Sequence, residues 1–248
     1  MKMKRNVSII GAVLLMIGAS AVSASAEPGA SGGGSAAPGY NAIPAHVSAN
    51  VPSVGFQATQ TRELGDLVGL SGQARTLRSM TVLFSSWACQ DGEWDKGDCV
   101  TTPGATFPAE LTFNVYDPSN LTATLATTTQ TVNMPFRPSA STLCTGANAG
   151  KWYNKSDQTC YNGFPQAVEL AFPAGTVLPD SVVWSVAYKT SSTGSTIAAM
   201  DSLNVGVQSF ENAPYSGTDL DEDQAFWNGA LDTGWTGLRP LGQISTVK

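Results

Sequence analysis

The sequence predicts an all-β protein, an antiparallel β-sandwich of jelly-roll type with two disulfide-closed loops. Three observations carry that expectation. Apolar residues alternate with a period of two in short runs, and Gly, Pro, Asn and Asp separate the runs. No window of a dozen residues repeats apolar positions at three and four, so the crossover helices that a parallel α/β sheet needs are missing. Finally, 42% hydrophobic residues against 13% charged, with four cysteines in 248 residues, is too apolar for a disordered chain and too cysteine-poor for a scaffold held by disulfides alone. Ser, Thr, Asn, Gln and 25 Gly take the place of long ionic side chains, as on sheets whose wet faces carry hydroxyls.

Residues 1–26 read as an export signal. Met1-Lys2-Met3-Lys4-Arg5 is basic, Val7 to Val22 is apolar, and Ala24-Ser25-Ala26 ahead of Glu27-Pro28 has the small-x-small pattern of a cleavage site. The apolar run contains Ser8, Gly11, Gly18 and Ser20 and falls short of the roughly 20 residues that span a bilayer, so cleavage is expected rather than anchoring. No cysteine follows the cleavage point to take a lipid, and Leu241 to Lys248 is polar. The expected location is secreted and extracellular, with no membrane attachment after cleavage. Losing Lys2, Lys4 and Arg5 takes the basic count from 13 to 10 against an unchanged 19 acids, and the net charge from −6 to −9. An acidic chain with no basic run has no electrostatic footprint for nucleic acid or anionic lipid.

Glu27 to Asn50 is rich in Gly, Ala, Pro and Ser and reads as a flexible leader, 27–50, ahead of a single sandwich domain over 51–248. The one histidine, His46, lies in that leader, which leaves no means of building a Ser-His-Asp, Cys-His or multi-histidine zinc arrangement.

The strand-like runs follow in order. Met80, Val82 and Phe84 alternate with Thr81, Leu83 and Ser85, and Leu111, Phe113 and Val115 with Thr112, Asn114 and Tyr116. Later runs are Val168-x-Leu170-x-Phe172, Val182-x-Trp184-x-Val186-x-Tyr188 and Leu203-x-Val205-x-Val207. Leu121 to Val132 is rich in threonine, whose β-branched side chain favours strand over helix. Eight to ten strands and no long helix are expected; the best helical window, Asp221 to Leu231, is interrupted by Asn228-Gly229.

Cys89 and Cys99 bracket a polar run containing Trp94, and Cys144 and Cys160 bracket a second one containing Trp152 and Tyr153. Of the three possible pairings, Cys89–Cys99 with Cys144–Cys160 is favoured. Each pair closes a polar loop directly after a strand-like run, and an exported chain meets an oxidising compartment. On the chain-entropy account, closing loops of this size stabilises by about 3 kcal/mol each. A zinc site competes weakly, because no Cys-x-x-Cys pair is present.

Candidate chemistry falls into three sets. Glu110, Glu169, Asp201 and Glu211 lie nearest the strand-like runs, and two carboxylates held a fixed distance apart hydrolyse a glycosidic bond, but nothing marks a pair among them. Asp219, Asp221 and Asp223 place oxygens at alternate positions like the first half of a calcium loop. The glycine due at the sixth position is Gln224 and the glutamate due at the twelfth is Ala230, so this is no EF-hand. No cofactor is required, and a structural calcium ion is the candidate occupant of that acidic loop. The third set is aromatic: Trp94, Trp152, Tyr153 and Trp227 sit in loops beside Asp, Asn and Gln, the combination that stacks on a sugar ring and holds its hydroxyls.

The run Glu63-Leu64-Gly65-Asp66-Leu67-Val68-Gly69-Leu70-Ser71-Gly72-Gln73-Ala74-Arg75-Thr76-Leu77, followed by Ser85-Ser86-Trp87-Ala88-Cys89 and Leu111-Thr112-Phe113-Asn114-Val115-Tyr116, resembles a group of secreted or surface β-sandwich proteins of actinobacterial type with no established activity. The resemblance extends from about residue 54 to the C-terminus and takes in Cys144-Thr145-Gly146, Lys151-Trp152 and Phe226-Trp227-Asn228. It implies a β-sandwich and export, and it carries over no catalytic or binding residue. The chain departs from members that end in a wall-sorting signal.

These readings converge on a non-enzymatic extracellular module that binds a glycan or a surface protein. A secreted polysaccharide hydrolase with a carboxylate pair is the alternative from another class, and a structural surface or coat component is a third.

Overall fold

The computed structural model describes residues 37–191, 198–209, 212–235 and 237–248, which belong to one unit spanning 34–248. The expected signal peptide, 1–26, and Glu211 lie outside the described residues. The period-two runs become strands. In chain order these are β1 (Ala37–Asn41), β2 (Ser53–Gly55), β3 (Glu63–Gly69), β4 (Thr76–Ser86), β5 (Thr106–Asp117), β6 (Asn120–Pro135), β7 (Trp152–Asn154), β8 (Thr159–Tyr161), β9 (Phe164–Ala171), β10 (Ser181–Ala187), β11 (Leu203–Ser209), β12 (Thr218–Asp219), β13 (Ala225–Trp227), β14 (Ala230–Asp232), β15 (Leu238–Pro240) and β16 (Gly242–Val247). Sixteen strands are described where eight to ten are expected; nine have five or more residues, and the seven short ones, of two or three residues, carry too little alternation to be read from sequence. The one α-helix described, α1 (Phe56–Thr59), is a single turn.

All pairings are antiparallel and most strands fall into two sheets. In the first, β4 pairs with β9 along one side and with β16 and β11 along the other, while β16 goes on to β1 and β11 to β2 and β15. The second runs β14-β13-β3-β10-β5-β6, with β12 beside β3. The connections from β3 to β4, β4 to β5, β9 to β10 and β10 to β11 each cross between the sheets. The alternating residues meet between them: Met80, Val82 and Phe84 of β4 share one buried cluster with Leu111, Phe113 and Val115 of β5 and Val182, Trp184 and Val186 of β10. β10 is buried on its outer face as well, where Val183 packs with Tyr116 and Phe226.

Both disulfides are the sequential ones, Cys89–Cys99 and Cys144–Cys160. Their loops touch backbone to backbone: a Cβ on Gly150 would lie 2.4 Å from the Gly97 Cα, so neither position has room for a side chain. The segment after β6 straps the two loops together. The Arg137 N–H donates to the Ala88 carbonyl (2.8 Å), the Ala140 N–H to Cys99 (2.9 Å) and the Ser141 N–H to Lys151 (2.9 Å).

One expectation needs correction. Residues 37–41 of the expected leader belong to the fold, because β1 pairs with β16 and Tyr40 is fully buried. A stretch rich in Gly and Pro reads as a leader, yet strand pairing here rests on backbone hydrogen bonds and one tyrosine. His46 does remain exposed. The window Asp221–Leu231 forms the β13–β14 hairpin, with Asn228 (φ 52°) and Gly229 (φ 94°) in its turn, the left-handed pair that a tight hairpin needs.

Candidate functional site

Four segments far apart in sequence meet around a groove of about 990 Å3. They are Gln57 to Arg62 at and after α1, Glu110 and Thr112 on β5, Ala187 to Ser191 at and beyond the end of β10, and Trp227-Asn228 at the β13–β14 hairpin. Asn228 draws the first and last together. Its Oδ1 accepts the N–H groups of Arg62 (2.7 Å) and Glu63 (3.2 Å), and its own N–H donates to the Glu63 carbonyl (3.0 Å). Gln60 (φ 55°) and Asn228 line the groove and are two of only three non-glycine residues with left-handed φ among those described. Each has a local cause: Gln60 caps the C-terminus of α1, and Asn228 sits in the β13–β14 turn.

Trp227 lines the groove half-buried, packed against the buried cluster between the sheets. Its Nε1–H donates to Thr61 Oγ1 (2.7 Å), which lies 2.6 Å from Thr59 Oγ1, and that hydroxyl in turn donates to the Gly55 carbonyl (2.8 Å). Trp235 packs edge-on against it, with centroids 6.5 Å apart. Both its ring edge and its polar handle are therefore fixed. Below, Tyr188 stacks on Phe56 at 4.0 Å and donates to the Leu203 carbonyl (2.5 Å); burial pushes its phenol well above the ordinary value. The polar lining consists of the Gln57, Gln60 and Asn228 amides and threonine hydroxyls, with Arg62, Glu110 and Lys189 exposed around it. Paired donors and acceptors beside a fixed aromatic suit a ligand rich in hydroxyls.

Among the described residues the candidate carboxylates do not converge. Of the three that are described, only Glu110 lines the groove. Asp201 accepts the Ser191 N–H (2.6 Å), the Ser191 hydroxyl and the Ala198 N–H (3.1 Å), clamping together the two ends of the segment between them. Glu169 accepts from Ser79 (2.5 Å) on the other sheet. Near the groove lies an acid that sequence reasoning missed. Glu63 Oε1 accepts from Asn114 Nδ2 (2.8 Å), the Tyr116 hydroxyl (2.7 Å) and the Ser185 hydroxyl (2.5 Å) on the outer face of the second sheet. Burial, and then the bond to Glu63, raise the Tyr116 phenol. Polar residues at 63, 114 and 185 on otherwise apolar strands were the available signal.

Among the predicted aromatics, Trp227 alone lines the groove. Trp152 is buried, donates its Nε1–H to the Gly163 carbonyl (2.8 Å) and packs on Tyr161 and Phe164. It is a core residue of the second cystine loop and offers no face to a sugar. Trp94 is half-buried and packs edge-on against Trp87 at 4.7 Å, beside a recess of only about 20 Å3. Tyr153 is half-buried on β7, opposite Cys160.

The acidic loop is also built differently from the expectation. The Asp219 carboxylate is buried and bonded to Arg239 Nε (2.6 Å), while Asp221 gives its N–H to Asp219 Oδ1 (3.0 Å) and Asp223 is exposed. An ion pair between the sheets takes up the oxygen that a calcium ion would need. Among the described residues no three His, Cys, Asp or Glu side chains group as a metal site, and no helix is long and apolar enough to cross a membrane. No family model, curated protein or solved structure matches the chain.

Proposed function

We propose that the protein is a secreted, non-enzymatic β-sandwich module and that its groove binds a glycan. One observation carries this reading: Trp227, fixed through Thr61 and Trp235, lines a groove together with amides and hydroxyls. A flat ring held in place stacks on a sugar without first losing freedom of its own, and the amides around it satisfy the hydroxyls. The hydrolase alternative needs a second carboxylate across the groove, and among the described residues Glu110 has none. Two disulfides support an oxidising, extracellular setting.

A glycan array followed by calorimetric titration tests the reading. Trp227→Ala should weaken binding at least about tenfold, roughly 1.4 kcal/mol, and Gln57→Ala by less. Trp94→Ala should leave affinity unchanged. Binding that survives Trp227→Ala, or turnover abolished by Glu110→Gln, would overturn the proposal.

A further inference from the structure

The groove departs from the charge of the chain around it. The whole sequence carries 19 acids against 13 bases, whereas the lining has two bases, Arg62 and Lys189, and one acid, Glu110, all three exposed. Lys189 lies two residues beyond the last β10–β5 pair, Ala187 with Thr112, which brings it level with Glu110, so those two charges offset one another. Arg62 is the surplus. Its neighbour Glu63 accepts from Asn114, Tyr116 and Ser185 on the outer face, and the ion pairs among the described residues, at Arg75, Lys96 and Arg239, do not include Arg62. The backbone of Arg62 is fixed all the same, because its N–H donates to Asn228 Oδ1 (2.7 Å), one residue from Trp227. A guanidinium with all its donors free is thereby rooted beside the indole ring.

We propose, resting on the glycan reading of the groove, that it selects a carboxylated sugar, a uronic acid within an oligosaccharide, whose carboxylate Arg62 takes. In a pyranuronic acid the carboxylate is attached to the ring itself, so a ring stacked on Trp227 carries its charge at the ring edge, within the compass of a side chain rooted next to Asn228. The planar guanidinium matches a carboxylate with two parallel N–H bonds, a geometry that a hydroxyl cannot return. Glu110 narrows the choice further, since a chain charged on every side, such as a heavily sulfated glycan, meets a like charge there. At about 990 Å3 the groove lies at the upper end of the ~300–1,000 Å3 that ligand pockets span and holds more than one sugar ring.

Calorimetric titration of the disulfide-intact protein with oligogalacturonate and with hyaluronan oligosaccharides, each beside its carboxyl-reduced form, tests the proposal. At least one uronate should bind at least about tenfold tighter than its neutral twin at low salt, the worth of one charge-assisted pair. The gap should close toward ~1 M salt, where the Debye length is ~3 Å. Arg62→Gln should remove the preference at an unchanged melting temperature, and Arg62→Lys should restore part of it. Arg78→Gln, on β4 of the other sheet, should keep it whole. Reduced forms that bind as tightly as the uronates, and are lost in Trp227→Ala, overturn the uronate preference and leave the glycan reading intact. No binding by any of the four overturns it too, and the array then decides the glycan reading alone. A preference that survives Arg62→Gln, or a sulfated oligosaccharide that binds tighter than the uronates, likewise overturns it.

Discussion

Arg239 on β15 and Arg137 just after β6 are buried to nearly the same degree, at 2% and 0% exposure, yet only the first has a carboxylate beside it. Arg239 donates from Nε to Asp219 (2.6 Å) and from Nη1 to the Asn212 carbonyl (2.6 Å). Arg137 has carbonyls alone, Gly150 at 2.8 Å from Nη2 and Pro138 at 3.4 Å from Nε, and its Nη1 has no partner. Burial lowers its pKa to about 10. The difference separates two uses of one side chain. At Arg239 the guanidinium neutralises a buried anion between the sheets. At Arg137 it serves as a rigid set of donors that ties one cystine loop to the strap, and its charge is incidental.

Removing each charge should therefore have unequal consequences. Arg239→Met leaves Asp219 buried without a counter-charge and should cost about 3–5 kcal/mol in urea unfolding. Adding Asp219→Asn to it should restore most of the loss. Arg137→Met strands no anion and should cost only about 1–3 kcal/mol, the penalty for leaving the Gly150 carbonyl unsatisfied. Equal losses at the two sites would erase the distinction.

A third, gentler probe acts on the Arg239 end alone. Asp66 on β3 is buried; desolvation first, then the Asp219 charge, raise its pKa well above the carboxylate range, and Tyr40 beside it is raised mainly by burial. Folding therefore favours the protonated acid. The stability that the proton brings is complete below the unfolded value near ~4 and is lost as pH climbs toward the raised folded value, by at most ~1.4 kcal/mol per pH unit. Asp66→Asn should flatten that slope in thermal melts from acid to neutral pH. A slope that persists in the variant would assign the effect to another group.

Much of the framework was legible because it rests on local pattern. Alternation placed β4, β5, β9, β10 and β11, and loop closure placed both disulfides. What escaped depends on partners distant in sequence. β1 is a strand only because β16, some two hundred residues later, lies alongside it. Trp152 looked like a displayed ring and is inside because its loop folds back on Gly163. Asp219 looked like a calcium ligand until Arg239 reached it across twenty residues. The groove has no linear motif at all, being assembled from residues near 60, 111, 189 and 227. Trp227 could be nominated from sequence, whereas the Asn228 bonds that position its surroundings could not.

The pairing of β1 with β16 also decides how the fold bears load. Ala37 lies opposite Thr246, so the chain enters and leaves this pair at the same end. Tension drawn through those two ends would open the pair like a zipper, breaking one hydrogen bond after another rather than shearing them all at once. Under pull this pair of strands forms a soft seam that peels at low force.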